Sequence, residues 1–374
     1  MTISDFYSAP IPLEDVRAGD VVRTRPVFAP QLTGAAGAWQ IVYVSTDSRS
    51  QPIAASAIVL IPDEVPDPGT GAILLYCPPF HGLGGQCAPS QLLATGAEYD
   101  IVGIEAALAR GWVVAIPDGQ GLGAGTGPHT FLAARAAGAK PMLDLARALY
   151  RGSHLDVPIA PVVAWGYADG GRIAAVAGEL QPWYAAEVDL RGVAAGAVAS
   201  DLAVLAALLG RGNGAGLAFA GLVGLARAYD HLPLRQVLNE DGLVAAAEAG
   251  HLTVAELLQR FPEPLAHWCR EPDPWNNQWW RRVLALETLA HVKTVVPLHL
   301  YHGALDPIVP VRAGRRALIA YRQRGTRVDW REYDGDHHST AHWAIPDVLA
   351  RLTHDIASDP ASSGPEDADR TSHP

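Results

Sequence analysis

Residues 162–176 read VVAWGYADGGRIAAV. The stretch joins an apolar run to a small-residue helix through a Gly-x-Xaa-x-Gly turn, and that joint decides the fold. A strand-to-helix turn this tight leaves no room for side chains beside its apex, so glycines must flank it. Gly166, Gly170 and Gly171 meet that need. Such an elbow ordinarily lifts a nucleophilic serine above the end of a sheet. Here the apex is Ala168, whose methyl group has neither a lone pair nor an acidic proton.

Outward from the elbow, short apolar runs alternate with helical patterns. WQIVYVSTD (39–47) and PIAASAIVLIP (52–62) predict a hairpin. GAILLYC (71–77), GWVVAIPD (111–118), RGVAAGAVAS (191–200), TVVPLHLYHG (294–303) and TRVDWREYDG (326–335) predict core strands. Helices are expected over 101–111, 137–152 and about 170–180. This alternation predicts an α/β fold, a mostly parallel sheet flanked by helices. Between 201 and 290 the strand signal disappears into helical runs such as LAVLAALLG and LVAAAEAGHLTVAELLQRF. The expectation is a core of residues 1–200 and 291–356, a helical cap over 201–290, and a disordered tail over 357–374.

The chain has 374 residues, 49% apolar and 18% charged, enough to bury a large core. Its net charge of -11 argues against a nucleic-acid partner or an anionic membrane surface. No apolar stretch approaches the roughly 18 residues that span a bilayer. The N-terminal MTISDFYSAPIPLEDV has no basic stretch followed by an apolar one, so a cytoplasmic protein is expected. Cys77, Cys87 and Cys269 are too scattered for a disulfide scaffold. They read as reduced buried thiols, with a Cys77–Cys87 bridge as the alternative in an exported protein.

Two further residues belong with the elbow. HGALDPIVP places Asp306 in a loop after a strand, and REYDGDHHSTAHW places His337 and His338 after the last strand. The order apex, acid, histidine (168, 306, 337) is that of the α/β-hydrolase fold. An acid that holds an imidazole in one tautomer makes the histidine a base. The amide of Asp169, at a helix N-terminus, would face a developing oxyanion. A second donor is expected from the backbone of 80–84, at Phe80 or His81. His302 follows a strand and is expected to pack or to bond a carbonyl.

With these residues in hand, the chain resembles the secretory lipase family, the lipase A-like α/β-hydrolases. HGLGGQCAPS (81–90), AIPDGQGLGAGTGPHTFL (115–132), WGYADGGRIAAVAGEL (165–180) and YHGALDPIVP (301–310) carry the resemblance. It implies that Ala168 stands at the serine position, Asp306 at the acid and His337 at the histidine, in preference to His338. Three residues depart from the family pattern. Ala168 replaces serine, Gly119 stands where tyrosine is usual beside the site, and Leu83 where threonine is usual.

Ala168 admits several readings. In the first, the His337–Asp306 pair and the oxyanion donors run general-base chemistry without a covalent intermediate. The reaction would be an elimination, such as loss of acetate from an acylated hydrophobic metabolite; the resemblance reaches α/β-hydrolase-fold eliminases of polyketide biosynthesis. In the second, a serine esterase or lipase has had its serine exchanged for alanine by design. In the third, the protein binds without catalysing. Asp169 as nucleophile would put Tyr167 where glycine is required. Tyr167, Gly119, His338 and Trp279 are the expected substrate contacts, with Phe219, Leu222, Trp275 and Trp280 as further apolar cap residues destined mostly for the core. No phosphate loop, flavin signature or metal-ligand pair is present, so no cofactor is expected.

Overall fold

A computed structural model of the chain describes residues 6–8, 16–67, 69–125, 127–152, 155, 157–212 and 214–358. Of the expected tail only residues 357 and 358 fall within them; the rest lies outside the described residues.

Nine strands form one sheet: β1 (Val21–Val27), β2 (Ala35–Thr46), β3 (Pro52–Pro62), β4 (Ile73–Cys77), β5 (Val113–Pro117), β6 (Val162–Tyr167), β7 (Leu190–Gly196), β8 (Leu298–Gly303) and β9 (Val328–Tyr333). Their order is β1-β2-β3-β5-β4-β6-β7-β8-β9. The pairs from β1 to β5 are antiparallel, and every pair from β5 through β4 to β9 is parallel. The expected hairpin is β2–β3. β1 was not legible, because VVRTRPV is an edge strand, half-exposed throughout, with arginines that break the apolar signal.

The sheet is buried on both faces, which explains the continuous apolar runs of β4, β5 and β6. Successive residues point to opposite faces. Leu75, Val162, Ala164 and Val193 pack with α3 (Ala139–Tyr150) and α4 (Asp169–Tyr184). Leu74, Val163 and Trp165 pack with α2 (Val102–Leu108) and α13 (Ile345–Ala357), while α1 (Pro89–Thr95) precedes them. Each fully buried Leu, Ile or Val contributes roughly 1.5–3 kcal/mol relative to its exposed state.

Between β7 and β8 the chain forms α5 (Leu202–Leu209), α6 (Ala215–Ala228), α7 (Leu234–Val237), α8 (Glu240–Ala249), α9 (Val254–Arg260) and α10 (Gln278–Leu286). These helices share an apolar core of their own, to which Phe219, Leu222, Trp275 and Trp280 belong. The run LVAAAEAGHLTVAELLQRF is two helices. Thr253 accepts from the amide of Glu256 while the Glu256 carboxylate accepts from that of Thr253. That reciprocal pair starts a new helix at Val254. The chain ends in α11 (Val311–Gln323), β9, α12 (His337–Trp343) and α13. No helix among the described residues is long and apolar enough to cross a membrane.

Candidate active site

The elbow joins β6 to α4. Ala168 adopts φ 53° and ψ -115°, a left-handed backbone that an alanine enters only under constraint. Its amide donates to Gly196 O at 2.9 Å, tying the apex to β7. A Cβ on Gly166 would overlap the Gly170 carbonyl, and one on Gly170 would overlap that of Cys77. The turn is therefore built to hold an apex residue under strain, although the residue held is a methyl group.

Asp306 lies in the turn after β8. Its Oδ1 accepts from the amides of Ile308 at 2.9 Å and Val309 at 2.8 Å. Its Oδ2 lies 2.6 Å from His337 Nδ1. A carboxylate only accepts, so Nδ1 carries the proton and Nε2 keeps its lone pair. His337 is the first residue of α12, whose N-cap is Asp336, accepting from the Ser339 amide at 2.8 Å. The Tyr167 hydroxyl donates to the His337 carbonyl at 2.7 Å. His338 is exposed and lines the same cavity, but the acid meets His337. Behind them His302 donates Nε2–H to Val309 O at 2.7 Å, and burial pushes its pKa down.

Ala168, Asp169, Tyr167 and His337 line a cavity of about 350 Å³. Its apolar wall comes from the inserted helices: Leu205 and Leu209 of α5, Leu217 of α6, Val254 and Leu258 of α9. Sequence reasoning missed these residues, since a leucine facing a cavity and one facing a core have the same spacing. It also missed Arg172, which is 1% exposed yet borders the cavity. Arg172 donates to Asp169 Oδ1 and Leu132 O, both at 3.1 Å, and to Glu287 O at 2.8 Å. The amide of Asp169 opens α4 beside the apex.

The loop after β4 supplies the other expected donors. The amides of Leu83 and Gly84 both go to Leu252 O. Neither the Phe80 nor the His81 amide bonds a carbonyl of the described residues. The Phe80 ring lines the cavity and stacks on Phe131 at 3.8 Å. The His81 ring turns away from it to Glu98, with Nε2 2.8 Å from Oε1. Burial works to raise the Glu98 pKa, but the bond and charge of His81 outweigh it and hold the carboxyl below its usual value.

Two expected substrate contacts are corrected. Trp279 is 45% exposed on α10 and does not line the cavity. Trp280, Val283 and Leu284 carry the buried face of that helix, which turns Trp279 outward. Gly119 does not reach the cavity either; it borders a smaller cleft beside it. The alternative of a Cys77–Cys87 bridge also falls. Cys77 Sγ lies 3.9 Å from Met142 Sδ and Cys87 Sγ 3.9 Å from Leu252 O, and both are free thiols. Burial pushes the Cys87 thiol up to about 11. No group of three or more His, Cys, Asp or Glu among the described residues is arranged to hold a metal.

Comparison with known proteins bears on the family and the fold. The profile of the secretory lipase family matches residues 87–364. Lipase A of Arthroderma benhamiae is 31% identical over 245 residues, 61% of this chain and 50% of that protein, so the match spans half its length. A Mycobacterium tuberculosis protein named a probable inactive lipase is 24% identical over 95% of this chain and 82% of its own. Candida antarctica lipase A in its closed state superposes with a TM-score of 0.83 at 21% identity, over 95% of this chain and 86% of that one. The fold is thus the α/β-hydrolase fold. The expectation of a cytoplasmic location is overturned: the family is one of secretory lipases, and a Malassezia furfur relative, 24% identical over 90% of this chain and 71% of its own, is named a secreted triacylglycerol lipase. With most of its length matched by that profile, the chain belongs to the secretory lipase family.

Proposed function

We propose that the protein is a lipase-fold enzyme working without an acyl-enzyme, in which His337, oriented by Asp306, is a general base toward an acylated hydrophobic ligand. The observation that carries this reading is the 2.6 Å Asp306–His337 bond, kept beside an apex that cannot use it for acyl transfer. The inserted helices of residues 201–290 serve as the cap, and their leucines receive the apolar part of the ligand.

The chemistry needs only a base and an oxyanion site. His337 Nε2 takes a proton from the carbon α to a carbonyl. The electron pair moves to the carbonyl oxygen, where the Asp169 amide and the Phe80 or His81 amide receive the charge. Collapse of the enolate forms the carbon–carbon double bond and expels a β-acyloxy group such as acetate. The proton on His337 then returns to that carboxylate. A positioned base contributes roughly 10²–10⁴ in rate, and one oxyanion donor roughly 10²–10³.

Incubation with a long-chain β-acetoxy ketone, followed by proton NMR, tests the reading. Alkene and acetate in equal amounts are expected, with loss of turnover in His337→Ala. Alcohol and acetate without alkene would replace elimination by hydrolysis. A second reading, a protein that binds an acylated ligand without turning it over, is favoured by the relative named a probable inactive lipase. Ligand binding with neither product would select it.

A further inference from the structure

A smaller cleft of about 40 Å³ adjoins the main cavity. The two share Pro79, Phe80 and Asp169 as a common wall, which includes the candidate oxyanion donors. Gly119 keeps the cleft open: its φ is +86°, and a Cβ there would stand 2.7 Å from His129 Cε1.

Beside the backbone amides of the shared wall, two side-chain atoms of this cleft are left over, and both are acceptors. His129 donates Nδ1–H to Gln120 O at 3.1 Å, so its Nε2 holds a lone pair, and that atom has no partner among the described residues. Burial lowers its pKa and favours the neutral ring. The Asp169 side chain is 8% exposed; Oδ1 accepts from Arg172 at 3.1 Å, and Oδ2 has no partner among the described residues. The two residues that carry these acceptor atoms, His129 and Asp169, both line the cleft. Leaving such acceptors unmet under an apolar or anionic group is costly, whereas a donor satisfies them. One water needs roughly 10–15 Å³ of such space, so the cleft holds about three waters or an arm of about three heavy atoms.

We propose that the cleft is a head-group subsite for a short hydrogen-bond-donating arm, a hydroxyl or an ammonium, on the ligand whose apolar chain fills the main cavity. Phe80 and Asp169 then divide the ligand at its carbonyl, chain on one side and donor arm on the other. The assignment rests on the reading that the carbonyl sits at the Asp169 and Phe80 or His81 amides.

Calorimetric titration with four dodecanamides tests it, using N-(2-hydroxyethyl), N-(2-aminoethyl), N-propyl and N-(carboxymethyl) heads. The two donor heads are expected to bind roughly tenfold tighter than propyl, with carboxymethyl the weakest. His129→Phe keeps a ring against Phe80 and removes the acceptor, so the hydroxyethyl advantage over propyl should vanish. Should that variant fail to fold, Asp169→Asn supplies the second arm: it removes the carboxylate charge, so the aminoethyl advantage over propyl should shrink. Equal affinities in the unaltered protein, or a donor preference that survives in folded variants, overturn the subsite. The amides bind without reacting, so the outcomes separate. Donor preference without alkene formation sinks only the base chemistry; alkene formation without donor preference sinks only the subsite.

Discussion

His337 Nδ1 meets Asp306 Oδ2 at 2.6 Å, and Asp306 is in turn held by two amides of its own loop. The acid is thereby positioned by its own loop as well as by the histidine. Asp306→Asn should keep the contact but reverse it, since an amide can donate to Nδ1 and drive the ring proton to Nε2. Turnover of a β-acetoxy ketone is expected to fall by roughly 10³–10⁴, with little change in the melting temperature. Retained turnover in folded Asp306→Asn would remove His337 from the mechanism.

Ala168 sits in the strained backbone of a working elbow, so a serine there needs no rearrangement. Ala168→Ser is expected to raise p-nitrophenyl butyrate hydrolysis by about 10³-fold, with a burst of acyl-enzyme. Stopped-flow absorbance reads both. Absence of any burst would mean that His337 does not reach the apex.

Gly170→Ala is expected to cost about 3 kcal/mol or more of stability, because its Cβ would overlap the Cys77 carbonyl, a backbone atom with nowhere to retreat. Urea unfolding measures this, and a loss below about 1 kcal/mol would show that the elbow can relax.

His302 and His129 both have pKa values pushed down by burial from the ordinary histidine value of about 6.5. Below that value the unfolded chain takes up protons that the folded one refuses. Their contribution to stability should therefore be fully present above pH 6.5 and be lost as the pH drops toward the lowered values. The slope is up to about 1.4 kcal/mol per pH unit for each group. Thermal melts between pH 7.5 and 5 test the sign, and His129→Gln should reduce the slope. A pH slope left unchanged by His129→Gln would contradict a buried neutral ring at that position.

Much of this protein could be read from local pattern. Buried strands of a parallel sheet announce themselves as apolar runs, and an elbow by its glycines. Edge strand β1 escaped because its residues are only partly buried and Arg23 and Arg25 interrupt its apolar run. The break between α8 and α9 was carried by Thr253 and Glu256, a capping box legible in retrospect within a longer helical run.

The chain by itself determined the fold, the elbow and the order of apex, acid and histidine, since these depend on periodicity, on glycine sterics and on sequence order. It also determined that Ala168 has no nucleophile. Tertiary structure alone decided which leucines line a cavity, that Trp279 faces outward and that Gly119 opens a second cleft, and it set Asp306 on His337, the histidine that the family resemblance preferred. Hydrophobicity drives apolar side chains out of water without saying what they will face. A hydrogen bond, by contrast, is directional and depends on where distant segments come to rest.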